Sequence, residues 1–189
     1  MIIGALFFSI ILVILTGIPV GIGLGLVGLS FSLIFEGQSA FISLPQTIFS
    51  SNNSFLLTAI PMFILMSEIL RKANVTEILF DAVTKFVGHL PGGLAVSTVI
   101  TCAIGASITG SSVANAASMS IVAAPSMINR GYDRKFTYGL IAASGTLGIL
   151  IPPSIPMLLY ASITEESIGK LFISGIVPGL LLVTLLCSY

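Results

Sequence analysis

The sequence predicts an all-α polytopic membrane protein, and three observations predict it. Of 189 residues, 56% are hydrophobic and only 7% are charged, a balance that a water-facing surface does not carry. Several apolar runs are long enough to cross a bilayer. Within those runs sit two polar or proline-rich interruptions, Gly105–Ser112 and Gly145–Pro156, which predict one re-entrant helical hairpin and one broken helix among the transmembrane helices.

The composition also excludes functions. Lys+Arg and Asp+Glu are both 7, so the basic surplus that a nucleic-acid partner requires is missing. Cys102 and Cys187 lie inside apolar runs and read as small hydrophobes, not as a disulfide or metal site. Met1–Phe8 has no basic n-region, so the start reads as a membrane helix, not a cleaved signal.

Ile2–Phe35 carries no charge before Glu36. A straight helix of that length would reach roughly 50 Å, beyond the ~30 Å hydrocarbon core, so it must break, tilt or turn back. Gly17-Ile18-Pro19 is the predicted break, and Gly21, Gly23, Gly25 and Gly28 are read as helix-packing positions. Glu36–Ser54 is polar, free of Lys and Arg, and predicts a turn-rich loop on the outer side. Phe55–Leu70 is a short span whose Glu68 pairs at helical distance with Arg71 and Lys72.

Asn74–Leu90 turns amphipathic. Val75, Ile78, Leu79, Ala82, Val83, Phe86 and Leu90 form an apolar face opposite Glu77, Asp81 and Lys85, which predicts a helix lying in the interface. Asn74 with Glu77 reads as a capping box, and His89 as an interfacial, structural residue.

Pro91–Asn129 is flanked by cations on both sides, Arg71, Lys72 and Lys85 before it and Arg130, Arg134 and Lys135 after it. Positive-inside bias makes it enter and leave on the same face. Its arms, Gly92–Ala106 and Val113–Ile128, have 15 and 16 residues, roughly 22 to 24 Å each. That is short for two full spans, and the hydroxyl-rich tip between them needs a protein or wet surrounding at membrane depth. The first arm aims C-terminal carbonyls at the tip, suited to a cation. The second begins there with free N–H groups, suited to a carboxylate, and Ser111 or Ser112 can cap it. Ser107, Thr109, Ser111, Ser112 and the Asn115 amide offer neutral oxygens of the kind a weakly held Na⁺ uses.

Phe136–Ile163 follows the turn at Gly131 and is interrupted by Gly145, Thr146, Gly148, Pro152, Pro153, Ser154 and Pro156. The prolines predict an unwound helix with free oxygens at Gly148, Ile149 and Pro152. A discontinuous helix beside a hairpin tip is how secondary transporters hold ion and substrate. Ile168–Cys187 reads as an ordinary closing span.

The stretches AIPMFILMSEIL (59–70), GGLA (92–95), ITGSSVANAA (108–117), PSMINRGYDRKF (125–136), GTLGILIPPSIPM (145–157) and LFISGIVPGLLL (171–182) together resemble the large membrane (DctM-like) subunit of TRAP transporters, the tripartite ATP-independent periplasmic carriers. The resemblance covers nearly the whole chain. It implies Na⁺-coupled, elevator-type uptake of an organic acid such as a C4-dicarboxylate or sialic acid, in a bacterial or archaeal inner membrane. The implied partners are a small membrane (DctQ-like) subunit and a periplasmic substrate-binding protein, with Na⁺ as coupling ion and no organic cofactor.

Carried over by position, Ser107, Gly110, Ser111, Ser112 and Asn115 fall on the tip. Gly145, Thr146, Gly148, Pro152, Pro153 and Ser154 fall on the broken helix. The implied organisation is scaffold-type helices over 1–73, an arm over 74–90, a transport-type region over 91–164 (hairpin 91–128, broken helix 136–163) and a closing helix over 165–189. Members of the family are roughly twice this length and carry a second, inverted repeat, so the chain reads as an N-terminal half whose counterpart lies in a missing C-terminal half. Three rivals stand beside this reading: a passive channel or structural membrane subunit, a binding-protein-independent Na⁺/anion symporter, and an intramembrane serine protease. The last has only His89 as a base.

Overall fold

The computed structural model describes residues 2–53 and 55–189, the side chains of Ile2, Phe55 and Leu56 excepted. Met1 and Ser54, each at the end of a predicted element, lie outside the described residues. The described residues are helical with no strand, and the chain divides into two compact units, Met1–Asn53 and Ser54–Tyr189.

The first unit holds α1 (Ile2–Leu15), α2 (Val20–Glu36) and α3 (Ala40–Asn52). The predicted break is present: Gly17 takes a left-handed φ of +75° and Pro19 immediately precedes α2. Val13 packs flush on Gly23, where a larger residue has no room. These two positions are equidistant from Ile18, so α1 and α2 fold back on one another as a hairpin.

The loop predicted over Glu36–Ser54 is not a loop. A single 3-10 turn, Gly37–Ser39, leads into α3, and Ser43 Oγ donates to Glu36 Oε2 at 2.7 Å. Ser, Gln and Asn suggested turns there, but Phe41, Leu44 and Ile48 recur at helical spacing and line, with Gly25, Gly28, Leu29 and Leu33 of α2, an apolar groove of about 440 Å³.

The second unit holds α4 (Phe55–Lys72), α5 (Val75–Val87), α6 (Gly93–Thr109), α7 (Ser112–Asn129), α8 (Arg134–Gly145), α9 (Ile155–Thr164) and α10 (Ile168–Ser188). Helix α6 is central and packs against α4, α5, α7, α8 and α10. The core joins Phe80, Leu94, Val99, Cys102, Met119, Met127, Leu140 and Ile141. Ser97, Thr98, Thr101, Thr109, Asn115, Thr137, Ser144 and Ser154 are buried with them, while Val113 at 78%, Phe86 at 78% and Ile163 at 80% exposure face outward.

Small polar side chains inside and large apolar ones outside suit a lipid surround, where packing and internal hydrogen bonds hold helices together. Two stretches, Val20–Asn52 and Ile168–Ser188, are long and apolar enough to cross a membrane by length and composition. α6 and α9 are shorter apolar helices.

Local signals held in part. Arg71 bonds Glu68 through both Nε and Nη2, as the spacing predicted, while Lys72 acts on it through charge and not through a direct bond. Asn74 does precede α5, but it makes no capping box. It sits in the left-handed region (φ +54°) without a side-chain cap bond and serves as the corner between α4 and α5, a conformation Asn tolerates well. The inward face of α5 also differs from the predicted stripe. Phe80 is its buried residue, 3% exposed, whereas Ile78, Phe86 and Leu90 are open, because the α6 and α7 surfaces meet α5 along the Phe80 side.

The core predicts a graded response to truncation. Met127→Ala, which empties a fully buried site, should lower unfolding stability in detergent by about 2 to 5 kcal/mol. Phe86→Ala on the open face should cost less than about 1 kcal/mol. Equal losses would contradict this assignment of inside and outside.

Candidate functional site: the hairpin tip and the helix break

Helices α6 and α7 form an antiparallel helical hairpin. Asn115, 1% exposed, donates from Nδ2 to the Cys102 carbonyl across the arms at 2.8 Å. Gly105 leaves room for it, since a Cβ there would stand 2.8 Å from Asn115 Oδ1. Farther from the tip, Thr98 Oγ1 approaches Met127 Sδ at 3.4 Å.

The tip is narrower than the sequence suggested. Ser107 and Thr109 belong to the last turns of α6, Ser112 opens α7, and only Gly110 and Ser111 connect them. Gly110 closes α6 in the left-handed region (φ +58°) and donates its N–H to the Ala106 carbonyl at 2.9 Å. Ser111, not Ser112, is the cap: it is extended, and its Oγ accepts from Ala114 N at 3.5 Å. Carbonyls expected to be free at the tip are partly taken: that of Ala106 accepts the Gly110 N–H, and that of Ser111 accepts from Thr109 Oγ1 at 3.3 Å.

The break is also present. Helix α8 ends at Gly145, a 3-10 turn covers Thr146–Ile149, and α9 resumes at Ile155. The Pro152–Pro153 peptide is cis. One predicted free oxygen is occupied, since Ser154 Oγ, fully buried, donates to the Ile149 carbonyl at 2.8 Å. The local reason is that the chain tightens into the 3-10 turn before the prolines, which brings Ile149 within reach of Ser154.

Tip and break meet directly. The Ile155 N–H donates to the Gly110 carbonyl at 3.3 Å. Gly148 lies flat on the Ser111–Ser112 peptide, where an added Cβ would stand 2.8 Å from the Ser111 carbonyl carbon and oxygen. One at Gly145 would stand 2.6 Å from Ala116 Cβ. The seam between Phe63, Thr109, Gly110, Pro153, Ser154 and Leu158 leaves no room for a water molecule.

The structure thus brings Gly110, Ser111 and Ser112 together with Gly148, Pro153 and Ser154, with Gly145 and Asn115 alongside. Ser107 and Thr146 stand apart: each donates to a carbonyl of its own helix, Ile104 at 2.7 Å and Ala143 at 2.6 Å, and Thr146 is exposed. Pro152 is half-buried within the break.

Chemically, the junction is a convergence of backbone dipoles. Helices α7 and α9 both begin there and present N-terminal positive ends, while α6 finishes there with its negative end. Ser107, Thr109, Thr146 and Ser154 spend their hydroxyl protons on carbonyls, which leaves oxygen lone pairs. No group of three or more His, Cys, Asp or Glu side chains forms a metal cluster among the described residues. The donors on offer are therefore neutral oxygens.

Sequence reasoning missed the support behind the break. Helix α10 is more than a closing span: at Gly175 a Cβ would stand 2.6 Å from the Leu150 carbonyl, and at Gly179 it would stand 2.9 Å from Ile151 Cγ1. The four-residue spacing of these glycines was the legible signal. A second missed pattern is Ser97, Thr101, Gly105 and Thr109, small or hydroxyl residues at every fourth position of α6, all buried. Ser144 adds a link from α8 by approaching Cys102 Sγ at 3.2 Å.

The family described as "Tripartite ATP-independent periplasmic transporter, DctM component" matches residues 7–189. The chain is 43% identical over 159 residues to the C4-dicarboxylate TRAP transporter large permease protein DctM of Pseudomonas aeruginosa, covering 84% of this chain and 37% of that protein. It is 38% identical to the isethionate TRAP transporter permease protein DctMQ of Oleidesulfovibrio alaskensis, over 97% of this chain and 28% of that one. It is 36% identical to the ectoine TRAP transporter large permease protein TeaC of Halomonas elongata, over 93% and 41%. The chain therefore spans about two-fifths or less of the length of these relatives. It belongs to the DctM component family of the tripartite ATP-independent periplasmic transporters, a membrane protein family of permeases and not of enzymes.

Proposed function

We propose that this chain forms one half of the transport pathway of a Na⁺-coupled secondary carrier for an organic acid anion, of C4-dicarboxylate or sialic acid type, in a bacterial or archaeal inner membrane. In this reading α6 and α7 are a re-entrant hairpin, α8 and α9 are a helix broken at membrane depth, and α5 is the arm linking a scaffold (1–73) to an elevator-type moving region (91–164). The remaining polypeptide supplies an inverted second hairpin and break. A small membrane subunit and a periplasmic binding protein complete the assembly.

The observation that carries the proposal is the junction of two interrupted helices, joined by the Ile155 N–H to Gly110 carbonyl bond and by Gly148 lying on the Ser111–Ser112 peptide. Irregular backbone of this kind is stable at membrane depth only when protein or a wet cavity covers it, and carriers use it to bind ions with carbonyls and anions with helix N-termini. Na⁺ would be held by oxygens of Thr109, Ser111, Ser112, Asn115 and Ser154 with carbonyls of the break, Pro152 included; Ser107 and Thr146, which stand apart from the junction, take no part in this reading. The anion would meet the N-terminal ends of α7 and α9. The relatives support the organic-acid reading, being named for C4-dicarboxylate and isethionate as well as ectoine.

Reconstituted uptake by the complete assembly tests the carrier reading. Saturable flux that requires an inward Na⁺ gradient is expected; Na⁺-independent, non-saturating flux would favour a channel. Ser111→Ala combined with Ser112→Ala should raise the Na⁺ concentration for half-maximal uptake about tenfold, on the order of one lost ligand bond, with folded yield near wild type. Parallel loss of yield and of uptake at every Na⁺ concentration would contradict a ligand role. Gly148→Ala should reduce uptake more than Gly139→Ala does, because only the former drives a methyl into the tip backbone.

A further inference from the structure

We propose that Phe63 of α4 is a lid over the junction of tip and break, and that water and solute reach the junction when α4 and the junction part. The inference rests on the carrier reading above and adds to it the residue that keeps the site shut.

Phe63 lines the seam together with Thr109 and Gly110 at the end of α6 and with Pro153, Ser154 and Leu158 of the break and α9. No space for a water molecule remains among them, so a solute that meets the Gly110 or Pro153 backbone from this side must first displace the ring. The core of the unit joins α5, α6, α7 and α8 around Phe80, Met119 and Met127, and Phe63 packs apart from it, at the seam.

Bonding divides the contacts there into two kinds. Tip and break are tied by the Ile155 N–H to Gly110 carbonyl bond, and the hairpin arms by the Asn115 amide. Helix α4 packs against α6 and α9, but among the described residues no hydrogen bond joins it to either. Its side chains bond within the helix, Ser67 to the Ile64 carbonyl at 2.8 Å and Arg71 to Glu68. An apolar contact has no directional bond to break when it slides, so the seam opens between α4 and the junction before tip and break separate.

The weak point of α4 lies beside the ring. Pro61, two residues before Phe63, has no N–H for the Leu57 carbonyl, and a helix bends more readily at such a position. The boundary proposed at residue 73 puts α4 on the fixed side and the junction on the moving side, so the Phe63 contact changes as the junction travels.

Water access reads the lid directly. In the complete subunit, with Cys102 kept as its one other thiol, Leu158→Cys puts a thiol in the seam at a position 2% exposed. A membrane-impermeant methanethiosulfonate should label it slowly. Phe63→Ala should raise the rate about tenfold, the gain when an open state populated at roughly 10% becomes dominant. Phe63→Leu, which keeps an apolar plug, and Ile64→Ala, at an outward position 50% exposed, should stay near the parent rate. Native Cys102, fully buried in the hairpin, should stay unlabelled throughout. An unchanged rate in Phe63→Ala, an equal gain in Ile64→Ala, or matching labelling of Cys102, which would mean general loosening, would each overturn the lid. Na⁺ alone separates this from the carrier reading. Slower labelling of the Phe63→Ala protein in Na⁺ supports an ion site beneath the ring, whereas fast labelling that Na⁺ leaves unchanged counts against that site and keeps the lid.

Discussion

Direct contact between two stretches of backbone is the constraint on which the second unit depends. The Ser111–Ser112 peptide rests on Gly148, and the Gly110 carbonyl takes the Ile155 N–H. An interrupted helix leaves polar backbone groups that lipid cannot satisfy. Here each interruption covers part of the other's exposed backbone. Contact this close requires a residue without a Cβ at Gly148, and the same absence recurs at Gly145 against Ala116 and at Gly175 against the Leu150 carbonyl. The unwound segment is therefore held from two sides, by the hairpin and by α10.

The rest of the unit extends this principle with polar side chains of minimal size. Ser97 and Thr98 bond carbonyls one turn back on α6, and Ser144 bonds that of Leu140 while reaching Cys102. Only Asn115 spends a full amide across the arms. Because the outside is apolar, van der Waals fit and these bonds, not water exclusion, hold the helices together. Small residues matter more here than large ones.

Much of this was legible in the sequence because membrane helices announce themselves by composition and interruptions by Gly and Pro. The breaks at Gly17–Pro19, Gly110–Ser111 and Thr146–Ser154 all fall where the sequence put them. Glu36–Ser54 was misread because Ser, Gln and Asn favour turns only when no helix face is waiting for Phe41, Leu44 and Ile48. The Asn74 box failed because a corner needed its left-handed backbone more than α5 needed a cap. Which oxygens of the site remain available could not be read from spacing: Ile149 lost its free carbonyl to Ser154, a bond that exists only after the 3-10 turn has tightened.

The Asn115 amide has a consequence for biogenesis. Hydroxyls such as those of Ser97, Thr98, Ser120 and Ser144 bond carbonyls within their own helices, so each helix can leave the translocation machinery for lipid with those groups already satisfied. Asn115 differs, since its partner in the fold is the carbonyl of Cys102 on the preceding helix, and an amide left unbonded in hydrocarbon costs several kcal/mol, on the order of 4 to 8. In the carrier reading proposed above, α7 therefore finds the partner of its one inward amide on α6, which favours insertion of the two helices as a pair.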